Sequence, residues 1–124
     1  MSKTALILLA HGARDPEWSA PMRRVWLAIQ AQRPGQRIGL AFLEFIKPDL
    51  PESVATLRAE GIDRIIIVPL FLAQGGHLKK GVPLLIDEFR RQHPQVSFEL
   101  TAPVGEADEV IRAMTAHILS ITDE

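Results

Sequence analysis

The sequence predicts an α/β fold: a four-stranded parallel sheet, strand order 2-1-3-4, with helices on both faces. Three observations carry that prediction. Strand-like and helix-like segments alternate four times along 124 residues, which implies parallel strands joined by right-handed crossovers. Two strand-like runs, Ala5–Ala10 and Ile65–Val68, are continuously apolar, as in strands covered on both sides. The other two contain a glycine or alternate with polar residues, which suits the edges of a sheet.

The first strand, Ala5-Leu-Ile-Leu-Leu-Ala10, ends at His11-Gly12 and a polar loop, Ala13-Arg14-Asp15-Pro16. Met22, Val25, Trp26 and Ile29 then recur at helical spacing, and Pro34-Gly35 stops that helix. The second strand is read over 37–44. Asp49 follows as a helix N-cap with Glu52 in capping-box position, Leu50, Val54 and Leu57 form the apolar stripe, and Gly61 stands at the C-cap. Pro69 closes the third strand, because proline cannot donate to a ladder. A loop of about ten residues is expected to run through Phe71, Gly75, Gly76, His77 and Gly81. Its helix is expected to start near Pro83, a favourable first-turn residue, and to bury Val82, Leu85, Ile86 and Phe89. The fourth strand alternates, with Val96, Phe98 and Leu100 against Ser97 and Glu99. The last helix carries Ala107, Val110, Ile111, Met114, Ile118 and Ile121 along one side. Met22, Trp26 and Met114 are expected in the core.

Length and composition narrow the classes of function. The chain fits a single domain, residues 1–124. Hydrophobic residues make up 47% of it, too many for a disordered chain. Fourteen basic side chains against 15 acidic ones leave a net charge of −1, so no broad footprint for nucleic acid is expected. No cysteine is present, which excludes disulfides, thiolate metal sites and cysteine nucleophiles. The run Ala5–Ala10 is too short to cross a bilayer and lacks the features of a signal peptide, so a cytoplasmic protein without membrane association is expected. Neither a phosphate-binding P-loop nor a G-x-G-x-x-G fingerprint occurs, so no nucleotide cofactor is expected. No G-x-S-x-G elbow is present either. A phosphohistidine phosphatase would place arginine directly before the histidine, and here that residue is Ala10.

Strand order 2-1-3-4 places a topological switch point between the first and third strands, where open α/β sheets bind their ligands. His11 leaves the first strand there and His77 follows the third, while Glu44 ends the second on the same rim. Adjacent strands lie about 4.8 Å apart, which brings the two imidazoles within reach of one another. Two histidines and a carboxylate suit a borderline divalent transition metal. Gly12, Gly75 and Gly76 leave room for backbone and a bulky ligand. A histidine near a helix N-terminus is held towards its neutral, metal-binding form. The plainer reading of each residue is that a histidine after a strand caps a helix and a strand-end glutamate is solvated. The pairing at the switch point favours the site. Phe71 and Leu72 are either core or the floor of a pocket for a flat apolar ligand. Arg14, Lys79 and Lys80 are a solvated rim or a set of partners for ligand carboxylates. His93 reads as a helix C-terminal residue and His117 as structural.

Ala10-His-Gly-Ala-Arg-Asp-Pro16, Phe42-Leu-Glu44, Val68-Pro-Leu-Phe-Leu72 with Gly75-Gly-His-Leu78, and Pro103-Val-Gly-Glu106 together resemble the short form of the sirohydrochlorin cobaltochelatase family, CbiX. Class II tetrapyrrole chelatases are similar, and the resemblance spans almost the whole chain. It implies a chelatase-like domain equivalent to a flavodoxin-like half, and ATP-independent insertion of Co2+ into sirohydrochlorin, an acidic tetrapyrrole, in cobalamin biosynthesis. By that resemblance His11 and His77 bind the metal and Glu44 assists. Arg14, Phe71, Leu72, Gly75, Gly76, Lys79 and Lys80 would meet the substrate. A homodimer with the active site between subunits is implied as well. Two positions depart from the family pattern: Ala13 where many relatives carry serine, and Gly81 where an aspartate would cap the helix. Fe2+ and Ni2+ remain open as the metal. So do a ferrochelatase of sirohaem biosynthesis, a non-catalytic metal or tetrapyrrole carrier, and a regulatory flavodoxin-like domain.

Overall fold

A computed structural model describes residues 3–122, apart from the side chain of His77. Four strands, β1 (Thr4–Ala10), β2 (Arg37–Phe42), β3 (Arg64–Pro69) and β4 (Ser97–Leu100), form one sheet in the order β2-β1-β3-β4. All three pairings are parallel, with Leu8 opposite Leu40 on one side and Val68 on the other. Four helices connect and follow the strands: α1 (Ala20–Gln32), α2 (Leu50–Ala59), α3 (Gly76–Gln92) and α4 (Asp108–Ile121). The expected strand order and alternation are therefore observed. Among the described residues no helix is long and apolar enough to cross a membrane.

The two faces of the sheet are covered unequally. On one face, Ala5, Ile7, Leu9, Ile65 and Ile67 pack with Val54 and Leu57 of α2 and with Val82, Ile86 and Phe89 of α3. On the other, Leu8, Ala10, Ile38, Leu40 and Phe42 meet Met22, Trp26 and Ile29 of α1. Trp26 also donates its indole N–H to the Ile38 carbonyl at 2.9 Å, which satisfies the polar end of a half-buried ring. Beyond α1 this second face thins out. β3 alternates in burial, with Ile66 and Val68 only partly covered, so the expectation of a strand buried on both sides holds for β1 better than for β3.

The reason lies in α4. Its apolar side was expected in the core, yet the helix has no buried residue: Ile111, Met114, Ile118, Leu119 and Ile121 are all exposed. His117 is exposed with them. Met114 is thus corrected from core to surface, whereas Met22 and Trp26 are half-buried against β2.

Local chemistry explains the other boundaries. The Asp49 carboxylate accepts the Glu52 backbone N–H at 2.9 Å and the Asp49 N–H donates to the Glu52 carboxylate at 3.3 Å, the expected capping box. That backbone donor is the first cause holding the Asp49 carboxyl below its ordinary range. Lys47 pairs with both acidic groups. At the far end of the sheet the Arg37 guanidinium grips Glu60 with two hydrogen bonds of 2.8 and 2.9 Å. His93 is the C-cap of α3, its N–H donated to Phe89, as its position after the helix suggested.

Helix α3 begins seven residues before the expected start. Gly75 is its N-cap, Gly76 its first residue, and Pro83 lies inside it. The loop expected through 71–81 therefore shrinks, and His77 belongs to a helical turn. Gly81 is likewise interior to α3, so the missing aspartate at that position removes no N-cap here; Gly75 already occupies it.

Candidate metal and tetrapyrrole site

His11 and Glu44 come together at the carboxyl ends of β1 and β2. The β1–β2 ladder runs past the strands proper: Leu43 N–H donates to the Ala10 carbonyl at 3.0 Å and Glu44 N–H to the His11 carbonyl at 3.1 Å. Glu44 is thus tied by its own backbone to the backbone of His11. Gly12 makes this closeness achievable. It has φ +85, and a Cβ placed on it would stand 1.9 Å from the Glu44 carbonyl oxygen. Only glycine meets both conditions without strain.

His11 is exposed, and its ring lies on Phe71 with centroids 4.3 Å apart and planes tilted by 36°. Phe71 is only 2% exposed, whereas its neighbour Leu72 is 68% exposed. The backbone at 71–72 is held by the 103–106 segment: Gly105 N–H donates to the Phe71 carbonyl at 3.0 Å, and a Cβ on Gly105 would sit 2.0 Å from the Leu72 carbonyl oxygen. The glycine of Pro103-Val-Gly-Glu106 therefore fixes the platform under the imidazole.

A hollow of about 390 Å³ opens beside His11, lined also by Leu43, Glu44, Leu78, Gly81, Val82 and Leu85. Its described lining offers the His11 imidazole, the Glu44 carboxylate and an apolar wall. His77, the second residue of α3, is brought by its backbone to the helix end bordering this hollow. Its side chain lies outside the described residues, as does the expected meeting of the two imidazoles. Among the described side chains no cluster of three metal-binding groups forms. A metal here would take His11, with Glu44 as the described acidic neighbour, and keep its remaining positions for other donors.

The remaining expected residues fall around the same rim. Among the described residues nothing lies within 4 Å of a Cβ built on Gly75 or Gly76, and neither has a positive φ, so the backbone itself does not require glycine at either position. Lys79 and Lys80 are exposed in the first turns of α3. Lys79 shares a separate hollow of about 260 Å³ with Leu72, Gln74 and Glu106. Arg14 stacks its guanidinium 5.2 Å from the centre of the Phe45 ring.

Two residues of this rim escaped the sequence reading. Phe45 sits at φ 69, in the left-handed region that a bulky residue seldom adopts, and it is exposed directly after Glu44. Trp18 is 73% exposed in a short 3-10 turn, Pro16–Ser19, next to His11. The prolines and acidic residues around Trp18 read as loop, so nothing in the pattern distinguished its indole. No pattern in the sequence announces a left-handed phenylalanine either.

Known proteins share this fold and sequence pattern. A CbiX protein from Marinobacter aquaeolei VT8 superposes with a TM-score of 0.84 at 29% identity, over 96% of this chain and 97% of that one. SirB from Bacillus subtilis, solved with Fe3+, shares the fold at 23% identity with a TM-score of 0.82, over 98% of this chain and 48% of its own. In sequence, a sirohydrochlorin cobaltochelatase of Priestia megaterium is 27% identical across 92% of this chain but only 37% of that protein. One from Saccharolobus islandicus is 32% identical over 81% of both. The chain thus spans well under two thirds of some relatives and most of others. The CbiX family model matches residues 5–120, and with the strand order, the His11–Glu44 hollow and its phenylalanine support already in place, this chain belongs to the CbiX family.

Proposed function

We propose that this CbiX protein inserts Co2+ into sirohydrochlorin without a nucleotide, as a cytoplasmic enzyme of cobalamin biosynthesis. The observation that carries the reading is the convergence of His11 and Glu44 on one hollow at the switch point of the sheet. The names of the relatives point to the same reaction.

Insertion asks for three things: water must leave the cation, the macrocycle must expose its nitrogens, and two pyrrole protons must depart. His11 replaces a water on the incoming metal, and His77 is its proposed second ligand. Packing of the His11 ring on buried Phe71 fixes the direction of approach, so the metal is presented with open positions. Glu44, held to the His11 backbone, is placed to accept a proton as the metal–nitrogen bonds form. Two pyrrole protons leave for each Co2+ taken up, passed in succession from exposed Glu44 to water, so atoms and charge balance. Arg14, Lys79 and Lys80 are the proposed partners of the substrate carboxylates, Leu72 lies against its apolar surface, and Gly75 and Gly76 leave room for its edge. A homodimer with the cleft between subunits belongs to the same reading. Its support is the row of exposed apolar residues on α4.

The test is anaerobic spectrophotometry of sirohydrochlorin with excess Co2+, and with Fe2+ and Ni2+ in parallel. Many turnovers per subunit, fastest with Co2+ and abolished in a folded His11→Ala protein, are expected. Uptake that stops near one metal per subunit would make the protein a carrier. Full turnover by His11→Ala would overturn the assignment of the site.

A further inference from the structure

His11 is the wall between two hollows, and the chemistry proposed above uses only one of them. His11 also lines a second, more apolar hollow of about 300 Å³, together chiefly with Ala10, Trp18, Met22, Phe42 and Leu70. Resting on the tetrapyrrole reading, we propose that Trp18 is a stacking platform for the conjugated face of the macrocycle, and that this second hollow receives the part of it extending beyond His11.

Size and charge both lead there. Drug-sized ligands fill cavities of about 300–1,000 Å³, and a tetrapyrrole lies towards the upper end of that range, so neither hollow holds it alone. A plate lying over His11 spans both. Among the described residues, no Asp, Glu, Lys or Arg side chain lines the second hollow, which suits a ring face, whereas Arg14 and the α3 lysines lie elsewhere. Ala13 also lines this hollow. A serine hydroxyl at that position would put a polar group against the macrocycle, so alanine keeps the surface dry.

The turn displaying Trp18 is pinned at both ends. Asp15 accepts the Glu17 N–H on its side chain at 3.0 Å and the Trp18 N–H on its carbonyl at 3.1 Å. Ser19, itself buried, donates to the Pro16 carbonyl at 2.7 Å and accepts from Arg23 at 3.1 Å. An indole 73% exposed on a braced turn is a large apolar surface that loses little freedom when it is covered. The contrast with Trp26, half-buried and hydrogen-bonded to Ile38, is direct.

The experiment measures binding of metal-free sirohydrochlorin by its own absorbance, Co2+ insertion kinetics, and sedimentation, for wild type, Trp18→Ala and Trp18→Phe. Trp18→Ala should raise KM and the dissociation constant for the tetrapyrrole about three- to tenfold, the range expected for one aromatic stack. Its kcat should stay within about twofold of wild type and its Co2+ dependence should not move, while Trp18→Phe should restore most of the affinity. Unchanged tetrapyrrole affinity in Trp18→Ala, with wild type active, would overturn the inference and leave the function standing. Weakened binding that comes with an altered sedimentation coefficient would also overturn it, because Trp18 would then act through a subunit contact. Absence of both binding and insertion in wild type would remove the underlying reading instead.

Discussion

Replacing Gly12 with alanine tests the link between backbone packing and the candidate site most directly. The added methyl would lie 1.9 Å from the Glu44 carbonyl oxygen and 3.1 Å from its carbon. Both obstacles are backbone, so no side chain can rotate away, and the 44–45 segment must retreat by about 1 Å. That retreat stretches the hydrogen bond from Glu44 N–H to the His11 carbonyl, now 3.1 Å, which contributes about 1 kcal/mol. The φ of +85 adds left-handed strain of roughly 1–2 kcal/mol for a residue with a Cβ. The total, about 2–3 kcal/mol, corresponds to a fall in Tm on the order of 10 °C for a chain of this size. Because about 1 Å of misplacement at a reacting group can cost about a hundredfold in rate, insertion should fall further than unfolding explains at 25 °C. The assay pairs thermal unfolding followed by circular dichroism with Co2+ insertion at 25 °C. Gly35→Ala is the control, since a Cβ there meets nothing within 4 Å. A Gly12→Ala protein that melts within about 2 °C of wild type and inserts metal at the normal rate would refute both the packing argument and the coupling of His11 to Glu44.

Two further outcomes are expected. Asp49→Ala should lower the Tm by a few degrees through loss of the capping box. Because its carboxyl titrates lower in the folded protein than in the unfolded chain, that contribution is present above the ordinary carboxylate range and disappears as pH falls through the depressed value. The gap between wild type and variant should therefore close in acid, and a gap that widens there would contradict the assignment. Ile111→Glu combined with Ile118→Glu places two charges on the exposed stripe of α4. It should leave the Tm of the isolated chain within about 2 °C while converting a dimer to a monomer in sedimentation and reducing insertion. A wild type that sediments as a monomer at micromolar concentration would remove the dimer from the proposal.

How far the sequence could be read depended on which physical effect dominated each segment. Continuous apolar runs marked β1 and β3 as the central strands, and the glycine of β2 and the alternation of β4 marked those two as edges, in keeping with the observed order. The capping box at Asp49–Glu52 was legible for the same reason: its two hydrogen bonds are local. The start of α3 was not, since Gly75, Gly76, Gly81 and Pro83 all signal interruption, and tertiary packing of Leu78 and Val82 against the core outweighs them. Periodicity revealed the stripe on α4 but not what covers it. An amphipathic helix looks the same in sequence whether its partner is its own sheet or another molecule. At the site, His11 and Glu44 converge as strand order requires. Trp18 and Phe45 stayed hidden because their exposure and backbone conformation arise from a pinned turn and a left-handed residue, neither of which leaves a periodic trace.

The hydrogen bonds that carry the β1–β2 ladder on to Glu44 mean that the carboxylate's address is written in strand register. Lengthening the connection around 33–36 leaves every rung from Ala5–Arg37 to Ala10–Phe42 in place, so surface loops there can drift freely. One residue added between Ile38 and Leu43 turns each later side chain to the opposite side of the sheet. The imidazole would then face a different neighbour, although the composition of the protein had hardly changed.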